Sequence, residues 1–434
     1  MAAMTEQDLL APMPGPAASG RGLVRCGFLF NHDQLHQLAH SAPIAFELMR
    51  RQDGPEVRLF VTSQAQHEAL LGVAEKCAMQ TGKVYRLRLP LLLRLLQPLL
   101  DPLMPFSRVM MLLCNRAAFR DLDLLVVPEK TSLLLRSRFG LKHLKFVHTR
   151  HGAGDREVGF DKASGEFDLV LMSGEKIRDR LTGAGLLKDG GHAVIGYPKF
   201  DLHADRNAAD DTVRVVRPKL FDNDRPTVLY NPHCSPSLSS WYRDGLAVLE
   251  AFYRSDRYNL IVAPHVMLFA KRLQVSLDRW RFDAPGEIPT RYRDCPHLLI
   301  DTGSARSCDM SYTEAADLYL GDASSQVYEF LHRPRPCVFL NTQGVAWRVN
   351  DNFRHWNAGP VLDHVEPLEA AIDAAFASHG HYIDTQRALF DYSFDLRETP
   401  SSVRGAEAIR AFCARQFPVA AASEPTTGSL LSHG

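Results

Sequence analysis

The sequence lacks paired cysteines, a surplus of charge of either sign and any long apolar run. Its eight cysteines are scattered over 434 residues, with no CxxC pair and no spacing typical of metal ligands. Neither a disulfide framework nor a zinc site is therefore expected. Reduced, mostly buried thiols fit a cytosolic protein.

Charge balance and hydropathy exclude two further classes of protein. Lys plus Arg and Asp plus Glu each number 50, so the formal net charge is zero, whereas a nucleic-acid binder normally carries a basic surplus. No window offers the roughly 18 uncharged apolar residues that a membrane-spanning helix needs. The N-terminus is acidic and rich in Pro, Gly and Ala, unlike a signal peptide. We expect a cytoplasmic protein that binds no nucleic acid.

Short apolar runs alternate with helical patterns along most of the chain. Runs such as GLVRCGFLF (22–30) and EVRLFVTS (56–63) recur until a polar stretch at about 205–225, after which PTVLYNP (226–232) restarts the alternation. Continuously apolar strands separated by helices are typical of parallel sheets covered on both faces. The sequence therefore predicts an α/β protein with two doubly wound, Rossmann-like domains that face a central cleft.

The predicted boundaries follow from this pattern. Residues 23–215 form the N-terminal, acceptor-side domain, and residues 216–417 form the C-terminal, donor-binding domain with closing C-terminal helices. Residues 1–22 and 418–434 carry few large apolar side chains, so both ends are expected to be disordered.

Polar residues with catalytic potential follow the predicted strands in the N-terminal half. His151 lies in TRHGAGD, next to Gly152, in a loop whose backbone can approach a ligand closely. Histidine titrates near neutral pH, as a general base must, although a structural histidine is the alternative. GYPKFD (196–201), which contains Lys199, closes this half, and its alternative interpretation is a simple turn.

Two histidines and a serine loop follow strands of the C-terminal half. His233 ends YNPH and His265 ends VAPH, where an imidazole could bind a phosphate or protonate a leaving oxygen; helix capping or packing is the alternative. In GDASSQVYEF (321–330), a strand is followed by small residues and a helix. Hydroxyls and backbone N–H groups at such a helix start suit a diphosphate, and ordinary capping is the alternative.

In this order, these segments resemble the CDP-glycerol glycerophosphotransferase family, whose members make polyol-phosphate polymers. His151-Gly152-Ala153, GYPKFD, Pro264-His265 and AADLYLGDASSQVYEF are similar to that family's His-Gly-Thr, Gly-Tyr-Pro-Arg-Asn-Asp, Pro-His and serine-loop motifs. The resemblance covers about residues 140–416. Ala153, Lys199 and Ala323 stand where the family has Thr, Arg and Tyr.

The resemblance implies a GT-B fold and transfer of glycerol phosphate, or a related polyol phosphate, from a CDP-activated donor to an acceptor hydroxyl in cell-surface polymer synthesis. His151 would be the base, and His265 would stabilise the departing nucleotide phosphate. The implied donor-binding residues are Gly152, Lys199, His233, Asp322, Ser324, Ser325 and Glu329, with Glu329 on the ribose. No resident cofactor is expected, and a requirement for Mg²⁺ stays open. The alternatives are a glycosyltransferase or epimerase that uses a UDP-sugar, and a non-catalytic scaffold.

The segment Tyr85–Arg116 differs from its surroundings, because Leu and Met alternate there with arginines and prolines. One interpretation is a basic, apolar surface that binds the inner face of the cell membrane peripherally and so reaches a lipid-linked or polymeric acceptor. The other is a set of core-facing helices whose arginines extend to water. The prolines at 90, 98, 102 and 105 exclude a single long helix.

Overall fold

A computed structural model describes residues 23–32, 34–101, 104–150, 152–155, 160–203, 218–276 and 280–418. Three predictions fall outside these ranges: the disorder of residues 1–22 and 419–434, most of the polar joint near 205–225, and the position of His151.

The first sheet contains seven parallel strands in the order β3-β2-β1-β4-β5-β6-β7. Their chain order reverses between β1 and β4, as it does in a doubly wound Rossmann sheet. The strands are β1 Arg25–Phe30, β2 Glu56–Val61, β3 Val84–Arg86, β4 Leu124–Val127, β5 Lys145–Thr149, β6 Leu169–Met172 and β7 His192–Val194.

The second sheet repeats the same plan with six parallel strands in the order β12-β9-β8-β13-β14-β15. Here the order reverses between β8 and β13, where Gly321 pairs with Asn231. The strands are β8 Thr227–Asn231, β9 Asn259–Val262, β12 Leu298–Ile300, β13 Leu318–Gly321, β14 Cys337–Leu340 and β15 Val361–Leu362, and a separate antiparallel hairpin joins β10 Gln274–Ser276 to β11 Arg281–Asp283.

Helices cover both faces of each sheet. Those of the N-terminal half are α1 Ala42–Met49, α2 Gln64–Lys76, α3 Leu91–Leu100, α4 Phe106–Cys114, α5 Leu134–Ser137, α6 Glu175–Gly183 and α7 Pro198–Asp201. Those of the C-terminal half are α8 Trp241–Arg254, α9 Thr290–Arg293, α10 Ser311–Ala315, α11 Gln326–Phe330, α12 Leu368–Ser378, α13 Ile383–Ser393 and α14 Ser401–Gln416.

The apolar strand residues are almost completely buried between these layers, which confirms the predicted pair of doubly wound α/β sheets. Phe28 and Phe146 lie on opposite faces of the first sheet, in two separate clusters of buried residues. Leu229 and Val228 likewise lie on opposite faces of the second sheet, in two further clusters of buried residues. Alternate residues of each strand therefore fill two cores, as a sheet covered on both faces requires.

The last helix, α14, packs against the first sheet, although the sequence pattern assigned it to the C-terminal domain. Ile409 and Phe412 belong to the buried cluster of the first sheet, together with Ile44 of α1. Gly405 of α14 faces the same Ile44, where a side chain would collide with it. The chain therefore returns to the first sheet at its end, because the apolar face of α14 completes that core.

Helix α3 has no fully buried residue, although its partly buried Leu93 packs against a core cluster of the first sheet, so the core-facing interpretation of Tyr85–Arg116 does not hold for the exposed face of α3. Leu91, Leu92, Leu95 and Leu99 expose between 67% and 77% of their surface. The neighbouring α4 does face the core, through Phe106, Met111 and Leu112. None of the helices in the described part of the chain has the length and hydropathy to cross a membrane.

Candidate functional site

A cleft of about 330 Å³ lies between the two sheets, at the carboxyl ends of their strands. Such ends, next to the point where strand order reverses, are where doubly wound sheets bind ligands. The N-terminal wall consists of Gln34, His36, His40, Arg150, Gly152, Gly154, Phe160, Tyr197 and Lys199. The C-terminal wall contains His233, His265, Cys308, Ser324, Ser325 and Glu329.

A larger depression, of about 470 Å³, lies at the other edge of the second sheet, where β8 and β9 begin at Thr227 and Asn259. Ligands of parallel sheets bind at the carboxyl ends of the strands and not at their amino ends. We therefore place the candidate site in the cleft between the sheets.

The cleft brings together Gly152, Lys199, His233, His265, Ser324, Ser325 and Glu329, all predicted from the sequence as site residues. The structure does not describe His151, the predicted base. Its neighbours in the chain, Arg150 and Gly152, both line the cleft. The assignment of His151 as the base stays a prediction.

His233 and His265 face each other on the C-terminal wall, with ring centroids 5.4 Å apart. Nδ1 of His233 accepts a hydrogen bond from the backbone N–H of Ser235 at 2.9 Å, and Nδ1 of His265 accepts one from Met267 at 3.2 Å. A ring that accepts at Nδ1 carries its proton on Nε2 when neutral. Both imidazoles therefore have the tautomer that donates from Nε2.

The glycines of the 152–155 loop allow the N-terminal wall to approach the serine loop. Gly152 has a φ of +76°, in the left-handed region that favours glycine. A side chain on Gly154 would begin 3.3 Å from Cβ of Ser325. A side chain at Gly154 would therefore require the serine loop to shift by a few tenths of an ångström, and a side chain at Gly152 would strain the backbone.

Ser324 and Ser325 lie at the start of α11, with Ser324 buried and Ser325 exposed at the cleft. The helix that follows is only five residues long. Its dipole is consequently smaller than the helical pattern of the sequence suggests. An anion in this position would be bound mainly by the hydroxyls and local backbone N–H groups.

Asp322 does not line the cleft, although the sequence analysis includes it among the donor-binding residues. Its carboxylate accepts hydrogen bonds from the backbone N–H groups of His233, Ala323 and Ser240, and from the Ser240 hydroxyl. Burial raises the pKa of Asp322 above its ordinary value, against the opposing effect of these donors. The side chain therefore holds the loops that carry His233 and Ser324 and does not itself line the cleft.

Glu329 forms a buried ion pair across the cleft. Nζ of Lys199 donates to both of its carboxylate oxygens at 2.7 Å, and the Tyr197 hydroxyl donates to Oε1 at 3.1 Å. Burial, followed by the nearby charge of Glu329, raises the pKa of Tyr197 well above its ordinary value, so the phenol keeps its proton. A carboxylate has about four acceptor positions, so Glu329 can accept a further hydroxyl.

Three cationic or titratable residues of the N-terminal wall were missed by the sequence analysis. His36 and His40 follow β1 in a 3₁₀ helix of six residues, and Arg150 follows β5 directly. The Arg150 guanidinium stacks on Phe160, 4.5 Å from the ring centroid, and burial lowers its pKa to about 10. Their position at the ends of β1 and β5 is the signal that could have found them.

The described residues contain no group of three or more His, Cys, Asp and Glu side chains arranged to hold a metal ion.

Several solved structures are similar to this chain. The wall teichoic acid polymerase TagF, in a variant soaked with CDPG, matches with a TM-score of 0.56 and 14% identity over 95% of this chain and 92% of that chain. A structure described as a UDP-N-acetylglucosamine 2-epimerase from Listeria monocytogenes matches with a TM-score of 0.52 and 11% identity, over 91% of this chain and 96% of that chain. The MnaA–UDP co-structure from S. aureus matches with a TM-score of 0.51 and 11% identity, over 91% of this chain and 97% of that chain. No family profile and no curated protein matches the chain.

These likenesses define the class of fold. The chain has the GT-B fold, with two Rossmann-like sheets on either side of a cleft, as the sequence predicted. The wall teichoic acid polymerase TagF is among these structures, so the resemblance drawn from the sequence motifs is confirmed at the level of the fold.

Proposed function

We propose that this protein is a transferase that moves glycerol phosphate, or a related polyol phosphate, from a CDP-linked donor to an acceptor hydroxyl. The observation that carries the proposal is the C-terminal wall, where two Nε2-donating imidazoles lie beside the Ser324–Ser325 loop. Imidazole N–H groups and serine hydroxyls on one wall can donate to the oxygens of a diphosphate.

The reaction assigns one task to each wall. His151 removes the proton of the acceptor hydroxyl, and the resulting oxygen attacks the β-phosphorus of the donor in line. The bond between the β-phosphorus and the bridging oxygen breaks, and CMP leaves with both electrons of that bond. His265 donates from Nε2 to the departing phosphate, and Glu329 accepts from the ribose. Such a transfer depends mainly on positioning and on charge stabilisation.

Use of a UDP-sugar is the second candidate function, because UDP-N-acetylglucosamine 2-epimerases match with similar TM-scores. Attack would then fall on the sugar carbon, and UDP would be released in place of CMP. The protein should therefore be incubated with CDP-glycerol and with a panel of UDP-sugars, together with phosphate-bearing polyol acceptors. Release of CMP supports the first candidate, and release of UDP without CMP contradicts it.

Calorimetry tests the donor site separately from turnover. The double variant Ser324→Ala/Ser325→Ala should bind CDP-glycerol at least about tenfold more weakly, since each lost hydrogen bond to a charged group is worth about 1.5–3 kcal/mol. Its melting temperature should stay close to that of the wild type. Unchanged affinity in this variant would place the diphosphate elsewhere.

We further propose that the acceptor is lipid-linked or polymeric and that α3 brings the protein to the inner face of the membrane. Support comes from the exposed leucines of α3 and from Arg88 and Arg94, which are exposed beside them. Apolar side chains enter the interface of a bilayer, and each nearby arginine adds about 1 kcal/mol with anionic lipids. Flotation with anionic vesicles should succeed at low salt and weaken at high salt.

A further inference from the structure

A buried carboxylate joins the two halves of the protein next to the cleft. Asp155, at the end of the glycine loop, accepts hydrogen bonds from Nζ of Lys176 at 2.8 Å and from the Tyr328 hydroxyl at 2.6 and 2.7 Å. It also accepts the backbone N–H of His355 at 3.0 Å and contacts Nδ1 of the same residue at 2.9 Å. Donors from both halves therefore converge on one side chain.

The His355 ring lies between two acceptors. Its Nε2 is 2.8 Å from the backbone carbonyl oxygen of Asp322, and a carbonyl can only accept. Its Nδ1 faces Oδ2 of Asp155, which already accepts from Tyr328 and from the His355 backbone. Both ring nitrogens therefore lie within hydrogen-bond distance of an acceptor, so the ring is held at both ends.

The surroundings of Asp155 agree with this hydrogen-bond pattern. Burial alone would raise the pKa of Asp155, but the charge of Lys176 and the hydrogen bond from His355 outweigh it and hold the pKa well below its usual range. Besides Lys176, the charged groups near the pair are Arg180 on the N-terminal side and Arg354 on the C-terminal side. The ionised carboxylate is thus an acceptor at neutral pH.

The two partners of His355 each hold one wall of the cleft. Asp155 ends the loop that contains Gly152 and Gly154, both of which line the N-terminal wall. The Asp322 carbonyl directly precedes the Ala323–Ser325 loop of the C-terminal wall, and it also accepts from the Trp356 indole at 2.8 Å. One imidazole ring therefore connects the two loops that meet across the cleft.

We propose that His355 is a positioning residue: its ring, bonded to both loops, sets the separation between the glycine loop and the serine loop. The proposal rests on the proposed function for its catalytic consequence, because an acceptor and a donor on opposite walls react only at the correct distance. Displacement of reacting groups by about 1 Å commonly costs about 100-fold in rate.

The first experiment does not depend on turnover. In His355→Gln, amide hydrogens of residues 152–155 and 322–325 should exchange at least about tenfold faster than in the wild type, while those of β1, β4 and β8 keep their protection. His297→Gln is the matched control, because His297 bonds the Phe252 carbonyl away from the cleft, and exchange in the two loops should stay unchanged in it. Unchanged loop exchange in His355→Gln overturns the proposal.

The second experiment separates positioning from a merely structural role. With whichever nucleotide donor is turned over, kcat of His355→Gln per folded molecule should fall at least about tenfold, with a smaller change in donor KM. Unchanged kcat with a lower melting temperature, or unchanged loop exchange, contradicts the proposal.

His355→Asn gives a second variant if His355→Gln folds poorly. The shorter Asn amide can replace the contact of Nδ1 with Asp155 but does not reach the Asp322 carbonyl. It should keep part of the loop protection, and complete loss of folding in both variants would mark His355 as structural and overturn the proposal. If the wild type turns over no donor, the proposed function fails, while the exchange experiment still decides the role of His355.

Discussion

The exposed face of α3 gives the most direct prediction. Replacing Leu95, Leu96 and Leu99 by Ser removes apolar side chains that are 70%, 42% and 67% exposed. Because none of them contributes to the core, the folded state should lose only the small differences in helix propensity between Leu and Ser, a few tenths of a kcal/mol each. Binding to a bilayer should change much more.

The size of that change follows from the exposed surface. Together the three side chains expose an apolar area roughly equal to that of two complete leucine side chains. Complete burial of one leucine side chain contributes about 1.5–3 kcal/mol. Even if the interface buries only part of this surface, the loss should be about 3 kcal/mol. Since about 1.4 kcal/mol corresponds to tenfold, vesicle partitioning should fall about 100-fold.

Flotation with anionic vesicles at low salt measures the partitioning, and circular dichroism with thermal melting measures the fold. Leu112→Ser is the matched control, because Leu112 of the adjacent helix α4 is completely buried. It should lower stability by about 2–5 kcal/mol, the usual cost of emptying a leucine site in a core. If the triple variant floats as well as the wild type, or if the wild type does not float, α3 is not a membrane contact.

Three further predictions concern the cleft and its surroundings. His265→Ala and His151→Ala should each lower kcat about 100-fold or more without a loss of fold, and near-normal turnover in both would reject their catalytic roles. Lys199→Met should destabilise the protein by about 3–5 kcal/mol in urea unfolding, because it leaves the Glu329 carboxylate buried without its cation, and adding Glu329→Gln should restore part of that loss. Burial and nearby lysines lower the pKa of His203 to about 4, so between about pH 6.5 and 4 the unfolded chain binds a proton that the folded chain does not. The free energy of unfolding should therefore fall as the pH falls through this window. His203→Gln should reduce the dependence of that free energy on pH.

The candidate site was predictable to the extent that it depends on strand ends. His233, His265 and the serines of the 321–330 segment directly follow apolar strands in the sequence, and the carboxyl ends of parallel strands share one edge of a sheet. That rule alone places them on one wall. It reaches His36 and His40 less directly, because they lie six and ten residues after the end of β1, in a segment with no recognisable motif. The direction of the Asp322 carboxylate depends on loops 80 to 90 residues away.

The sequence by itself determined the two parallel sheets, since apolar runs of strand length, separated by amphipathic helices, have few other ways to bury their surface. Only the tertiary structure decided how the halves meet. The contact of Asp155 with His355 spans 200 positions of the chain, and no local pattern encodes such a pair. Tertiary packing also decided that α3 faces solvent while α14 completes the first core. An apolar helix face has the same periodicity whether it meets a core or an interface, so its environment is fixed only when the rest of the chain has folded around it.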